Sequence, residues 1–357
     1  MFKTENLLLD SCERNLSFRF ESTSFLKNNE YESDFATSLS GIGVMLKPTL
    51  EYYLNYNTRL NVGFFGTKFS GVNHFTNLIP IYQIHHKIIP GLELVFGSLY
   101  GNLNHGLSEP FYRFDLYYTN NIEYGLQLLH KSKYTESDVW LNWEKFIFEG
   151  DPFQEEFTVG NHTKLNFIKT KGIDIKGDLQ VLLFHKGGEI DTYAGPAIYI
   201  FNGAYGLDLT LKTKHINYSL KPKLFWYQGL RLPNNPKSEN YQPYKNGKGL
   251  MVSSDVDHKF MNFEFGYWKG EKFLSSKGES LFMSVSESSP NFHQANRKIF
   301  YSKLRFKRYL SDNLKLELRG NLYVDLKNDV LPDYSFGLYF IANELFFIKK
   351  LEDSRVK

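Results

Sequence analysis

The sequence predicts an all-β chain: a single closed antiparallel transmembrane β-barrel of about 16–18 strands. Three observations predict it. Apolar and polar residues alternate with a period of two along segments longer than the roughly five or six residues of an ordinary globular strand. Aromatic residues make up 17% of the 357 residues, with 32 Phe and 24 Tyr, a density that needs either a very large core or a lipid interface. No segment longer than ten residues shows clean helical periodicity.

Composition closes off other classes. With 42% hydrophobic residues the chain can pack, so disorder is excluded. One cysteine, Cys12, rules out an intramolecular disulfide framework and any Cys-rich metal site. No run approaches the roughly 18 apolar residues of a membrane helix. The net charge of +3 comes from 42 basic against 39 acidic residues, with no contiguous basic tract, so nucleic acid is not an expected partner. No secretory signal is visible at the amino terminus, where Leu7 to Leu9 form the only apolar run before Asp10.

The elements follow from the alternation. Ile42, Val44, Leu46, Pro48, Leu50, Tyr52 and Leu54 share one face, against Lys47, Thr49, Glu51, Tyr53 and Asn55. Further along, Ile122 to Leu128, Val139 to Trp143, Ile173 to Leu183, Tyr205 to Leu211, Ile216 to Trp226 and Met261 to Tyr267 repeat the pattern. Near the carboxyl end, Leu314, Leu316, Leu318, Leu322 and Val324 oppose Lys315, Glu317, Arg319 and Tyr323, flanked by 300–307 and 334–342. Less regular candidates lie at 15–26, 59–69, 77–86, 91–100, 111–119, 155–169, 193–201, 248–258 and 280–287. Turn signals such as Asn55-Tyr56-Asn57, Thr119-Asn120-Asn121 and Ser311-Asp312-Asn313 punctuate them. Longer connectors are expected at 101–110, 146–154, 231–247 and 287–297. The chain divides into an N-terminal extension (1–14), the barrel (15–347) and a tail (348–357).

Alternation alone does not separate a soluble sandwich from a membrane barrel. Strands in register for 11 to 15 residues favour the barrel, because a tilted strand needs about 9–11 to cross a bilayer. Aromatics also gather at strand ends, as in Tyr52, Tyr53 and Tyr56, Tyr117 and Tyr118, Phe225 to Tyr227, Tyr267 and Trp268, and Phe346 and Phe347. The Gly-Asn-Leu-Asn-His-Gly-Leu stretch at 101–107, the Trp-Leu-Asn-Trp-Glu strand at 140–144 and the aromatic last strand resemble bacterial outer-membrane β-barrels of the porin type, in particular those of Bacteroidota. That resemblance covers roughly 15–347 and implies the outer membrane as location and the lipid bilayer as partner. Many such barrels end on a terminal aromatic, whereas this chain continues past Phe347.

The search for chemistry yields no catalytic constellation. Neither G-x-S-x-G nor a phosphate-cradling glycine loop is present. His85 and His86 are adjacent and point to opposite faces of a strand, which argues against joint metal ligation. His105 with Glu109 is conceivable as a loop metal site, and a turn-stabilising role is the simpler one. Glu144, Glu149, Asp151, Glu155 and Glu156 read as a solvated acidic loop. Cys12 lacks the flanking residues of a lipid-bearing cysteine. The chain is therefore expected not to be an enzyme and to need no cofactor. Lys221, Lys223, Lys303, Arg305, Lys307, Lys315, Arg319, Glu51, Trp140 and Glu144 are expected to face a wet lumen, which tolerates charges that would cost about 2–4 kcal/mol on the lipid face. Trp140, Tyr53 and Tyr301 are candidate sugar-stacking surfaces or, equally, packing residues. The expected function is a porin-like channel for small hydrophilic solutes, with a homo-oligomer possible. The alternatives are a plugged barrel acting as scaffold in a secretion or surface-glycan complex, and a soluble carbohydrate-binding protein or enzyme.

Overall fold

A computed structural model describes residues 13–351, except 189, 194, 289, 290 and 328–330. Cys12, most of the N-terminal extension and the tail beyond 351 lie outside the described residues. The chain is a closed barrel of sixteen antiparallel strands, each paired with its neighbours in sequence and β1 closing on β16. The strands are β1 (Asn15–Glu30), β2 (Gly41–Asn55), β3 (Thr58–Phe69), β4 (Asn77–Ile89), β5 (Leu92–Ser98), β6 (Tyr124–Lys131), β7 (Thr135–Lys145), β8 (Glu155–Lys169), β9 (Ile173–Gly187), β10 (Ile198–Lys212), β11 (Ile216–Leu230), β12 (Asn246–His258), β13 (Met261–Glu271), β14 (Asn296–Ser311), β15 (Leu314–Asp325) and β16 (Asp333–Lys350).

The period of two does what it predicts. On β2 and β3 the outward Leu50 and Val62 are 47% and 63% exposed, while inward Glu51 and Arg59 are buried. Apolar side chains therefore form the outer surface and charges line the interior, the reverse of a soluble core. Closure leaves no strand edge with unpaired backbone groups, the condition for a sheet in hydrocarbon. A soluble sandwich, which would bury the Leu and Phe rows between two layers, is excluded by this arrangement.

The two ends of the barrel differ. Strand pairs β2–β3, β4–β5, β6–β7, β8–β9, β10–β11, β12–β13 and β14–β15 are joined by tight turns at the end where β1 begins and β16 finishes. The other end carries the longer connections, which in outer-membrane barrels face outward from the cell. Two of these, 99–123 between β5 and β6 and the described residues of 272–295 between β13 and β14, fold back into the barrel.

That infolding corrects three expectations. Segments 111–119 and 280–287 are not strands. The first holds a one-turn helix, α1 (Leu116–Thr119), and the second a turn of 3-10 helix at Ser280–Phe282 with one isolated bridge, Val285 to His293. Their apolar residues answer to neighbours inside the barrel rather than to a two-faced sheet. For the same reason Tyr117 and Tyr118 belong to the interior packing of α1, not to an interfacial girdle.

Candidate functional site

The loop-end half of the interior is a dry core. Phe111 from the first infolded segment meets Phe273, Leu281, Phe282 and Met283 from the second, and both pack on Phe225, Tyr227, Trp268, Tyr301 and Tyr323 of the wall. The rings meet edge to face, Phe111 to Phe225 at 5.1 Å and Phe282 to Trp268 at 5.7 Å, the arrangement aromatic quadrupoles favour. Backbone polarity is satisfied within this core: Trp268 Nε1 donates to the Phe282 carbonyl (3.0 Å), and Asn202 Nδ2 donates to that of Leu274 (2.6 Å). The two segments also bond each other, Arg113 N to Lys277 O (2.8 Å) and Glu279 N to Glu109 O (2.9 Å). A second cluster seats α1 on the opposite wall, where Tyr118 packs on Phe25 and its hydroxyl donates to Tyr339 Oη at 2.7 Å.

The polar anchor of the first segment is His105. Its Nε2 lies 2.9 Å from Glu123 and its Nδ1 2.8 Å from Asp138 of β7. The ring is stacked on Trp140 at 3.5 Å and 9°. Trp140 lies flat across β8 because its register partner there is Gly160, where any Cβ would come within 2.1 Å of the indole. Burial alone would lower the His105 pKa, but the two carboxylates outweigh it and push it up to about 9, so the ring is a doubly protonated donor. Burial alone would likewise raise Glu123; His105, with Lys277 and the Tyr112 hydroxyl, brings it down to about 2. Tyr112, which donates to Glu123, is pushed far up by burial and then by that carboxylate. His105 thus bonds Glu123 and Asp138, whereas Glu109 bonds Lys303 and the Tyr323 hydroxyl, so the two side chains conceivable as a loop metal site are held by separate partners.

Next to it, His162 Nδ1 donates to the His105 carbonyl at 2.6 Å, with Nε2 3.3 Å from Asp178. Asp178 also meets Lys223 at 3.1 Å, and Lys223 reaches the hydroxyl of Ser108 on the infolded segment at 3.3 Å. On the second segment Glu279 is raised above the usual carboxylate range by burial and then by the neighbouring Glu109.

Nine of the ten residues singled out from sequence divide between holding the infolded segments and bracing the wall. Trp140, Lys223, Lys303 and Glu144 contact the infolded segments, Glu144 through Lys277 at 2.8 Å. Lys221 pairs with Asp255, and Glu51 with Arg19 (2.6 Å) and Arg59 (3.8 Å). Lys315, Arg319 and Arg305 surround Glu317 at 3.0, 2.6 and 3.8 Å. Lys307 follows Arg305 two residues later on the same strand face. Trp140, Tyr53 and Tyr301 are no more than 2% exposed, so none offers a free face for a sugar. His85 and His86 do diverge: His85 bonds Glu93 and Tyr100, and His86 bonds Thr58. Among the described residues no group of three metal-ligating side chains comes together.

Charged space persists toward the turn end. A cavity of about 400 Å³ is lined there by Arg19, Glu21, Lys47, Asn102, Asn121 and Lys315, among others. What the sequence did not reveal was the clamp on His105 and the infolding itself. The available signal was length, since 99–123 and 272–295 are much longer than the turns at the other end.

A closed barrel with an apolar outer surface and charges inside defines an outer-membrane β-barrel, here with its loop-end half filled. The chain belongs to the lipid A 3'-O-deacylase-type family, whose model matches residues 5–351. That family bears the name of an enzyme, which overturns the expectation of a non-enzymatic protein. No curated protein matches the sequence. Among solved structures, OprD from Pseudomonas aeruginosa is similar at 10% identity and a TM-score of 0.53, covering 97% of this chain and 100% of that one. A loop-deletion mutant of OmpT, an outer membrane protein of Vibrio cholerae, gives 10% identity and 0.53, covering 92% and 99%. OccAB3 of Acinetobacter baumannii gives 11% and 0.51, covering 93% and 99%. At these identities the likeness concerns the fold.

Proposed function

We propose that this protein is an outer-membrane hydrolase that removes an ester-linked acyl chain from a lipid of the lipid A class, and not a permanently open pore. The observation that carries this reading is the dry core joining both infolded segments to the wall. Phe111, Phe273, Phe282 and Trp268 are all fully buried inside what would otherwise be the channel. A sixteen-stranded barrel is wide enough for an aqueous channel, so filling it with an apolar core removes passage and leaves the lipid-facing surface as the working one. The family name supports the same chemistry. In this reading the inward charges are structural: Lys223, Lys303, Glu144 and Trp140 hold the infolded segments, while Lys221, Glu51, Lys315, Arg319 and Arg305 brace the wall.

The test is incubation of the purified protein with lipid A in mixed micelles, followed by mass spectrometry. The expected result is free fatty acid with a matching loss of mass from lipid A. Unchanged lipid A, together with conductance steps in a planar bilayer, would overturn the proposal. It would favour instead the passage of small hydrophilic solutes, a reading supported by the charged cavity at the turn end.

A further inference from the structure

The outer surface is not uniform around the barrel. Over β7–β10, at the loop end, outward aromatics stand side by side across four strands. Trp143 lies 5.6 Å from Phe157, Phe157 4.5 Å from His185, and His185 4.8 Å from Tyr199. The Arg231 guanidinium lies over the Tyr199 ring at 5.9 Å. These residues are on the lipid side because they alternate with inward Trp140, Thr158 and Leu182 on the same strands.

Directly beyond β7 the chain carries this surface past the end of the barrel. Phe146 and Phe148 meet edge to face at 5.2 Å, yet they are 63% and 73% exposed. The projection has a defined shape. Phe148 N donates to Asp151 Oδ2 (2.8 Å), and the neighbouring connection is bonded to it through Gly150 N to Ile190 O (2.9 Å) and Thr192 N to Asp151 O (2.8 Å). Two phenyl rings held out by a fixed turn would present a few hundred Å² of apolar surface to water, which a soluble surface rarely carries without a partner. The polar counterpart lies within the ladder: His185 Nδ1 is buried with no hydrogen-bond partner, and Nε2 stands 3.8 Å from Glu155. A buried ring nitrogen left unpaired costs free energy that a ligand group can recover.

We propose that this sector is the docking site for a lipid of the outer leaflet, with Phe146 and Phe148 entering its acyl layer, the Trp143–Phe157–Tyr199 rings supporting its chains, and His185 and Arg231 meeting its polar part. Continuity decides the occupant, since the projection prolongs a surface that already faces lipid, at the end that faces outward. The inference rests on the reading that the barrel works on a membrane lipid, and it names the place where that lipid is held.

The test uses the full chain with Cys12→Ser, so that Phe148→Cys carries the only thiol, labelled with an environment-sensitive NBD dye. Asn235→Cys, on the long loop between β11 and β12, serves as the comparison. Both are refolded into phosphatidylcholine vesicles, with folding verified by heat-modifiable electrophoretic mobility. The label at 148 should emit to the blue of the label at 235, be quenched by doxyl-labelled phosphatidylcholine and be shielded from iodide. Equal iodide quenching at the two positions would sink the docking site and assign the projection to a soluble partner. The deacylation assay separates the two claims. A membrane-buried label without fatty acid release removes the hydrolase reading alone, and release with a solvent-exposed label removes the docking site alone.

Discussion

The two halves of the barrel interior are built from the same strands but solve different problems. Toward the loops, the wall presents Phe225, Tyr227, Trp268, Tyr301 and Tyr323, and the infolded segments supply matching rings, so water is excluded. Toward the turns, the same strands present Lys221 and Arg305, whose side chains each keep 31% of their exposure, beside the buried partners Asp255 and Glu317. On β14 the change occurs within two side-chain repeats, from Tyr301 through Lys303, which still bonds Glu109 of the infolded segment, to Arg305. The lesson is that a barrel face is not one environment. The same inward position is a core site or a solvated site depending on whether a connection folds over it.

This contrast predicts how each half responds to substitution. The largest effect is expected at His105→Ala, which leaves the buried Glu123 and the half-buried Asp138 without their cation and should cost about 3–5 kcal/mol, read from urea unfolding followed by tryptophan fluorescence. The clamp also fixes a pH window. His105 rises from 6.5 to about 9 on folding, so its contribution is complete below pH 6.5 and is lost as pH climbs through 9. Glu123 falls from 4.5 to about 2, so its share is present above pH 4.5 and is lost as pH drops through 2. A thermal midpoint that stays flat from neutral pH through pH 10, in wild type and variant alike, would remove the clamp from the account.

Phe282→Ala comes close behind, at about 3–5 kcal/mol, because the cavity it leaves is walled by Trp268, Tyr301 and Tyr323 and has little freedom to collapse. With the core opened, this variant is also expected to conduct ions in a planar bilayer where the wild type does not. Tyr118→Phe removes a single buried hydroxyl pair with Tyr339 and should cost about 1 kcal/mol in the same urea series. At the wet end, Lys212→Gln loses a pair with Asp174 whose lysine is 30% exposed, and a change of about 0–1 kcal/mol that fades with added salt is expected. A loss there as large as that at Phe282 would mean that the turn-end half is as dry as the other.

The strands were legible in the sequence because each residue faces one of only two environments. Leu50 and Glu51, or Leu318 and Glu317, announce their faces by residue type alone. The infolded segments were not legible, because 111–119 and 280–287 carry the apolar content of strands while their partners lie far away in the chain. Phe111 and Phe273 are in one core though more than a hundred and fifty residues apart. His105 gave no sign of its carboxylates for the same reason: Asp138 reads as one of several inward acids until β7 brings it within 2.8 Å.

By itself, then, the sequence determined the closed sheet, its apolar exterior and its charged interior, since a period of two in contact with lipid admits few other solutions. Tertiary structure alone decided that half of the interior is filled. Whether a long connection stays outside or packs within depends on the complementarity of surfaces distant in sequence, and local residue patterns do not encode that.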